Sequence, residues 1–520
     1  MDPVRDQFWE DVDSGELHIR DKWQFALKSD FFPQAGHSQD KYTQEFYFFI
    51  PNSLQINAST YSKDQFFIDQ LSLIRYKTPV FSFAELQNPL NLHSPLIRIL
   101  GFGAKVNTEE NRKLLSNELK LLGNVVRSML RSECKRLTTL LQTTQTISSL
   151  SADFTADVEK LCRNINQLDL SFLNAKAAIT AKWKDELINT EISYIEEFIN
   201  DVVLHYLMIL LENLRLSSHE YFQLADQTLC QILIEKKHAT EKLINQTSQI
   251  ESPKTLEGES SLFRANLLDK FVLDALLLET NRSSINQRYY HIIAAISAGI
   301  AMMLYFILFT WLGTVFLINS QPFIILAVLF YVLKDRIKEI LRAISYQQMS
   351  RWFPDYKTVI YSPDKKQKLG EMHESFSFIE HPQLSEELTS IRNVKHHGVL
   401  DTFERPEDVM YYKRVVEINQ LPKSTDTRHS GLNIIYRFNI HRFLQQASDP
   451  VETHLALDSV TKKLISVRLP KVYHLNLILR SSFLAPDLTT KVELKKLRII
   501  FDKNGIKRIE QVAEYCFLFK

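Results

Sequence analysis

One stretch of this 520-residue chain constrains its fold more than any other, because residues 289–333 contain no Asp, Glu, Lys or Arg. As a single helix, a stretch of this length would extend about 67 Å, whereas the hydrocarbon core of a bilayer is roughly 30 Å thick. We therefore expect the stretch to fold back. Because lipid offers no partners to backbone polar groups, two spans of about 20 residues each are predicted, forming a two-helix transmembrane hairpin.

Two alternatives stay open for this stretch. It could form an all-apolar core hairpin of a soluble protein, or it could enter one leaflet and return without crossing. The position of the turn bears on this choice. A turn at residues 311–314 (WLGT) divides the stretch evenly. A turn at residues 319–322 (NSQP) has better turn chemistry, but it leaves only 12 residues, 322–333, for the second limb.

Basic residues flank the stretch on both sides. A basic excess near both ends favours keeping both ends in the cytoplasm. We therefore predict an integral membrane protein with both termini cytoplasmic, in a bacterial inner membrane. Aromatic residues near the ends suit the membrane–water interface. The predicted interface anchors are Arg288, Tyr289, Tyr290, Trp311, Lys334, Arg336, Lys338 and Arg342.

Small residues recur at a spacing of four within the first part of the stretch. Such pairs let helices approach closely, either between the two limbs or between protomers. The predicted helix-packing residues are Ala294, Ala295, Ser297, Ala298, Gly299 and Ala301.

A long helical region precedes the uncharged stretch. No proline occurs between Pro95 and Pro253, and no glycine between Gly123 and Gly258, so both principal helix breakers are missing. Apolar residues alternate spacings of four and three, as on a helix face that packs in a bundle. The clearest stripe is Ile188, Ile192, Ile195, Ile199, Val202, Tyr206 and Ile209. We predict a helical bundle or coiled-coil region over residues 96–252.

The two ends of the chain differ from the helical region in their sequence patterns. Residues 1–95 mix β-prone aromatic runs with a short helical segment, which predicts a small α+β unit. Residues 355–520 contain several β-prone runs and predict an antiparallel β-rich domain. Within it, Asn504 and Gly505 separate two such runs, and both residue types tolerate the positive φ of a tight turn. Residues 262–354 then contain the membrane segment with flanking amphipathic helices.

The sequence contains no recognisable catalytic or ligand-binding motif. The four cysteines match no zinc spacing, and the formal net charge of +1 gives no general attraction to nucleic acid. His396 and His397, near Asp401 and Glu404, are the densest group of potential ligands, but adjacent residues on a strand point to opposite faces. We predict no catalytic, cofactor or metal site, and nucleic-acid binding is disfavoured.

The predicted fold class is therefore a membrane-anchored, multidomain α+β protein. Its predicted function is that of a non-enzymatic scaffold, which presents cytosolic helical and β-rich domains at a membrane surface. Its predicted partners are the lipid bilayer and a protein, either a different one or a second copy of this chain. Two alternatives remain: a membrane-bound enzyme with an unrecognised site in the C-terminal domain, and a secreted bacterial effector that inserts in a host membrane.

Overall fold

The structure is a computed structural model, and the chain in it divides into two compact units. A helical unit consists mainly of residues 74–278, and a β-rich unit consists of residues 15–73, 279–421 and 434–520. The residues that the structure describes are 17–32, 39–143, 150–216, 223–247, 257–316, 320–363, 367–394, 407–419, 431–457, 463–484 and 489–519.

Twelve α-helices lie within the described ranges. In chain order they are α1 (Lys63–Asp69), α2 (Phe83–Gln87), α3 (Pro95–Phe102), α4 (Glu109–Thr143), α5 (Leu150–Lys182), α6 (Glu186–Leu216), α7 (Gln223–Thr247), α8 (Glu257–Leu273), α9 (Asn286–Val315), α10 (Gln321–Trp352), α11 (Glu386–Asn393) and α12 (His441–Gln445). Local sequence fixes several of their starts. The Ser62 and Ser82 hydroxyls each accept a hydrogen bond from the backbone N–H three residues later, and the backbone N–H of each serine donates to the side chain of that later residue, which completes a capping box.

The helical unit contains α2 to α8. The apolar stripe predicted for α6 lies in its core, since Ile188, Ile192, Ile195, Ile199, Val202 and Tyr206 are buried. Ion pairs also connect neighbouring helices of this unit. Arg127 on α4 pairs with Asp269 on α8, and Arg264 on α8 pairs with Glu197 on α6. The helical periodicity therefore identified which side chains pack, whereas the buried ion pairs gave no signal in the sequence.

The β-rich unit is built from antiparallel strands. In the described residues they are β1 (Leu17–Ile19), β2 (Gln24–Phe31), β3 (Gln39–Pro51), β4 (Gln70–Tyr76), β5 (Glu279–Ser284), β6 (Tyr356–Tyr361), β7 (Lys368–Ile379), β8 (Glu407–Asn419), β9 (Leu432–Asn439), β10 (Val451–Leu457), β11 (Leu464–Pro470), β12 (Tyr473–Leu484), β13 (Thr490–Asp502) and β14 (Gly505–Phe519). The largest sheet has eight strands in the order β14-β13-β12-β3-β8-β7-β6-β5, and a four-stranded sheet has the order β1-β2-β9-β4.

Aromatic side chains form much of the core of this unit. The Phe66 ring on α1 stacks on Phe376 of β7 at 4.1 Å between centroids, and it also packs against Tyr412 and Phe438. The predicted tight turn is present between β13 and β14, where Gly505 has φ = 140°. A side chain at this φ would be strained, so the turn requires the glycine.

The helices α9 and α10, which we call the arm, occupy the connection between β5 and β6. The prediction of a two-helix transmembrane hairpin is wrong. Among the described residues, only Ala294–Val315 of α9 is long and apolar enough to cross a membrane, with 22 residues and a mean hydropathy of 2.0. The second helix is too short in apolar residues because of where the boundary between α9 and α10 lies. α9 continues through residues 311–314, so α10 retains only the short uncharged run at residues 321–333 before Lys334.

Candidate membrane-binding arm

The arm exposes a large number of apolar side chains. Only 17% of the apolar segment of α9 is buried. Met303 and Phe306 on α9 and Ile325 on α10 are 67%, 61% and 68% exposed. Contiguous exposed apolar surface of this kind marks a site of contact with a membrane or another protein. The arm is therefore the candidate functional site of this chain.

The two helices of the arm contact one another through aromatic rings. The ring centroids of Phe309 and Phe323 are 5.5 Å apart, and those of Tyr305 and Tyr331 are 6.2 Å apart; both pairs are edge to face. Leu312 is buried as well. These pairs fix the register of the two helices, because they place the C-terminal part of α9 beside the N-terminal part of α10.

Lys334 marks the level at which charge begins along the arm. Its Nζ lies 4.0 Å from the centroid of the Tyr331 ring and 5.9 Å from that of Tyr305. Beyond the level of Tyr305, α9 contributes only residues 306–315, which extend about 15 Å. On the other side of Lys334, α10 carries the pair formed by Arg336 and Glu339 at 3.3 Å. Both helices are therefore uncharged in the distal half of the arm, whereas in the proximal half α10 is charged and α9 still exposes apolar residues such as Ile296 and Met303.

Both ends of the arm are held at one position in the eight-stranded sheet. β5 and β6 pair antiparallel, with Ser284 opposite Tyr356. The backbone N–H of Ile285 donates to the carbonyl of Asp355 at 3.0 Å, which closes the base of the arm. The chain thus leaves the sheet after Ser284 and returns to the neighbouring strand.

Two buried carboxylates fix this base, which we call the arm root. Asp355 is fully buried and accepts hydrogen bonds from Lys63 Nζ at 2.7 Å and from the backbone N–H of Phe376 at 2.8 Å. Its own N–H donates to the carbonyl of Glu374 at 2.7 Å. Three groups from two elements, α1 and β7, therefore converge on the residue at which the chain re-enters the β-rich unit.

Glu374 on β7 is the second carboxylate of the arm root. It accepts hydrogen bonds from Gln70 Nε2 at 2.9 Å and from the Tyr412 hydroxyl at 2.6 Å. The Arg282 guanidinium on β5 lies 3.2 Å from its other oxygen and 4.2 Å from the Tyr356 ring centroid. Burial, together with the charge of Glu374, raises the pKa of Tyr412 well above its usual value, so this phenol stays a donor.

The predicted helix-packing residues have different positions on α9. Ser297 and Ala301 are buried, Ala294 and Ala298 are half-buried, and Ala295 and Gly299 are exposed. A Cβ added to Gly299 would have no neighbour within 4 Å among the described atoms. A role of these residues in packing helices within a membrane stays a prediction.

The predicted interface anchors are spread along the arm. Trp311 is exposed near the distal end, Lys334 contacts the two tyrosine rings, and Arg336 pairs with Glu339. Lys338 and Arg342 are half-buried on the second half of α10. The backbones of Arg288, Tyr289 and Tyr290 belong to α9, but their side chains lie outside what the structure describes.

Sequence reasoning identified the apolar stretch but not the arm root. Asp355, Glu374, Gln70 and Tyr412 are separated widely along the chain, and no local pattern links them. His396, His397, Asp401 and Glu404 lie outside the described residues. Within the described part of the chain, no group of three or more His, Cys, Asp or Glu side chains is arranged to hold a metal ion.

Comparison with known proteins gives no relative for this chain: no family model, no curated protein and no solved structure matches it.

Proposed function

We propose that this chain is a non-enzymatic protein that attaches to a membrane through its arm and presents its folded units to other proteins there. The observation that carries the proposal is the exposed, uncharged distal half of the arm, beyond Tyr305 and Lys334. Burying one large apolar side chain is worth about 1.5–3 kcal/mol, so several such residues in lipid outweigh the loss of free motion of a bound protein.

The length of this uncharged part supports insertion from one face. About 15 Å of helix lies beyond the level of Lys334, compared with about 30 Å for a hydrocarbon core. The pairing of β5 with β6 returns the chain to the face it left. The arm in this proposal therefore enters one leaflet and comes back, with Lys334 at the headgroup level, where a long basic side chain is favoured.

The basic residues that follow the inserted part favour the cytoplasmic face of a bacterial inner membrane. In this arrangement both termini are cytoplasmic. In a background without the four native cysteines, cysteines introduced one at a time at Asp2 and Lys520 should then react with a membrane-impermeant maleimide only in inverted vesicles. Reaction in vesicles of the native orientation would contradict the proposed orientation.

The test of membrane attachment uses the full-length chain and vesicle flotation. Phe306→Glu and Ile325→Glu place a charge in the inserted half and should each reduce the vesicle-bound fraction at least about tenfold, since a charge at depth costs about 2.5–3.5 kcal/mol. Leu187→Glu is the matched control, because Leu187 is 74% exposed on α6 and lies outside the arm. Equal binding of all three variants would overturn the proposal.

A second measurement distinguishes entry into one leaflet from crossing. Ser320 lies directly before α10, at the distal end of the arm. In a background without the four native cysteines, Ser320→Cys should resist an impermeant maleimide added to the face opposite the folded units. Labelling from that face would show that the arm crosses the bilayer.

Exposed apolar residues outside the arm support the protein-interaction part of the proposal. Phe263 and Leu267, one turn apart on α8, are 64% and 49% exposed. Residues at this spacing share a helix face and form a small apolar stripe. Chemical cross-linking in detergent, followed by mass measurement, should give a defined complex that Phe263→Glu weakens. If the wild type and the Phe263→Glu variant both show only the mass of the uncross-linked chain, this part of the proposal is wrong.

A further inference from the structure

The strands β10 and β11 form a two-stranded ribbon of their own. They pair antiparallel from Val451 opposite Pro470 to Leu457 opposite Leu464. Neither strand pairs with another strand in the described residues. Leu455, Leu457 and Leu464 are 74%, 66% and 71% exposed. An isolated two-stranded ribbon is at best marginally stable in water, so its apolar residues call for a contact outside the described chain.

The two faces of the ribbon differ in composition. Residues that pair directly across an antiparallel ladder share a face, and alternate residues point to opposite faces. One face therefore carries Val451, Leu455, Leu457 and Leu464, and we call it the ribbon face. Its one charged residue is basic, Arg468, which pairs with Thr453. The acidic Glu452 lies on the opposite face. An apolar and basic surface without acidic groups is complementary to anionic lipid.

The ribbon and the arm leave the eight-stranded sheet in the same direction along the strands. Strand direction alternates along β5, β6, β7, β8, β3 and β12, because all these neighbours are antiparallel. The chain therefore leaves β5 at Ser284 toward the side from which it enters β12 at Tyr473, although the registers place Ser284 level with Ser481, eight residues along β12 from Tyr473. The arm follows Ser284, and the ribbon ends at Pro470, where the N–H of Lys471 donates to the carbonyl of Pro450 at 2.9 Å.

We propose that the ribbon face is a second membrane contact, which lies in the interfacial region of a membrane containing anionic lipid. This inference rests on the proposed membrane attachment through the arm. The ribbon stays shallow, because the open edges of a two-stranded ribbon carry backbone groups that hydrocarbon cannot satisfy. Arg468 would meet the headgroups.

The test places an environment-sensitive fluorophore on single cysteines of the full-length protein, at Leu457→Cys on the ribbon and at Ile325→Cys on the arm. The vesicles are phosphatidylcholine with and without phosphatidylglycerol, and nitroxide lipids report depth. The Leu457 label should move to a less polar environment and be quenched by a nitroxide near the headgroup, more strongly with phosphatidylglycerol. A label on Leu187→Cys, which is outside both elements, should stay in water.

The outcomes separate this inference from the proposed function. If the Ile325 label enters lipid and the Leu457 label stays in water, the ribbon contact is wrong and the arm proposal stands. If only the Leu457 label enters lipid, the ribbon contact stands and the arm proposal falls. A response at Leu457 that is equal with and without phosphatidylglycerol would overturn the role of anionic lipid.

Affinity provides an independent measurement. The double variant Leu455→Ser, Leu457→Ser should bind phosphatidylglycerol vesicles about tenfold more weakly, which corresponds to about 1.4 kcal/mol. Leu187→Ser is the control, and circular dichroism checks that both variants are folded. Unchanged vesicle affinity in a folded double variant would contradict the inference.

Discussion

Arg282, the last charged residue before the arm, forms an ion pair at 3.2 Å with the buried carboxylate of Glu374 on β7. This pair connects the strand that leads into the arm to the interior of the eight-stranded sheet. Because Asp355 does the same for the strand that follows the arm, both ends of the arm are fixed by charges inside the β-rich unit. A force on the arm would therefore be transmitted to β5, β6 and β7 rather than absorbed by flexible linkers.

Glu374→Gln should destabilise the β-rich unit. The substitution removes the charge that Arg282 faces and disturbs the acceptor shared by Gln70 and Tyr412. Removing one member of a buried, hydrogen-bonded charge pair costs about 2–4 kcal/mol. Hydrogen exchange of peptides from β5, β6 and β7 measures the loss. Glu339→Gln on α10 breaks the exposed pair with Arg336 and should cost less than about 0.5 kcal/mol. Equal exchange in the two variants would mean that the arm root contributes no stability.

Lys496 on β13 should make the stability of the β-rich unit depend on pH. Its Nζ donates to the carbonyls of Arg392 at 2.5 Å and Val394 at 2.9 Å, at the end of α11. Burial, together with the charges of Arg392 and Arg498, lowers the pKa of Lys496 to about 7, against the opposing effect of Glu407. In the unfolded chain the pKa is about 10.4. Between these values the unfolded chain binds more protons, so the free energy of unfolding rises with pH.

The Lys496→Met variant should therefore lack this rise of the free energy of unfolding with pH. The free energy of unfolding of the wild type, relative to the variant, should increase by up to about 1.4 kcal/mol per pH unit between pH 7 and pH 10. Hydrogen exchange of β13 peptides, corrected for the intrinsic rates, follows the difference. Lys503→Met, at an exposed position, is the control. A wild type and a Lys496→Met variant with parallel pH profiles would show that Lys496 is ionised in the folded protein throughout.

Asp201 on α6 should have the opposite effect in the helical unit. Burial and the neighbouring charge of Glu197 raise the pKa of Asp201 to about 7, although Arg264 lowers it in part. The folded state then binds more protons than the unfolded state between about pH 4 and pH 7, so stability falls as the pH rises through this range. Asp201→Asn should be more stable than the wild type at pH 8 and gain nothing at pH 4.

Hydrogen exchange of peptides from α6 would measure the increase in the free energy of unfolding that Asp201→Asn produces. Asp153→Asn, at an exposed position on α5, should leave stability nearly unchanged at both pH values. A gain of the same size for Asp201→Asn at pH 4 and pH 8 would contradict the raised pKa of Asp201.

The sequence by itself determined the local features of this protein. Spacings of three and four placed Ile188, Ile192 and Ile195 on the buried face of α6, because helical periodicity is a property of neighbouring residues. Asn504 and Gly505 identified the turn between β13 and β14, in which Gly505 has the positive φ that glycine tolerates. The sequence also identified residues 289–333 as an uncharged, apolar segment.

Only the tertiary structure decided how these features combine. The uncharged stretch divides unequally because α9 continues past Trp311, and the contact of Lys334 with Tyr305 then places the first charge of α10 about halfway along the arm. The arm root brings Asp355 and Glu374 together with Lys63 and Gln70, which lie about 300 residues away along the chain. Strand partners and buried charge pairs are chosen by packing across the whole unit, and local sequence carries no record of that choice.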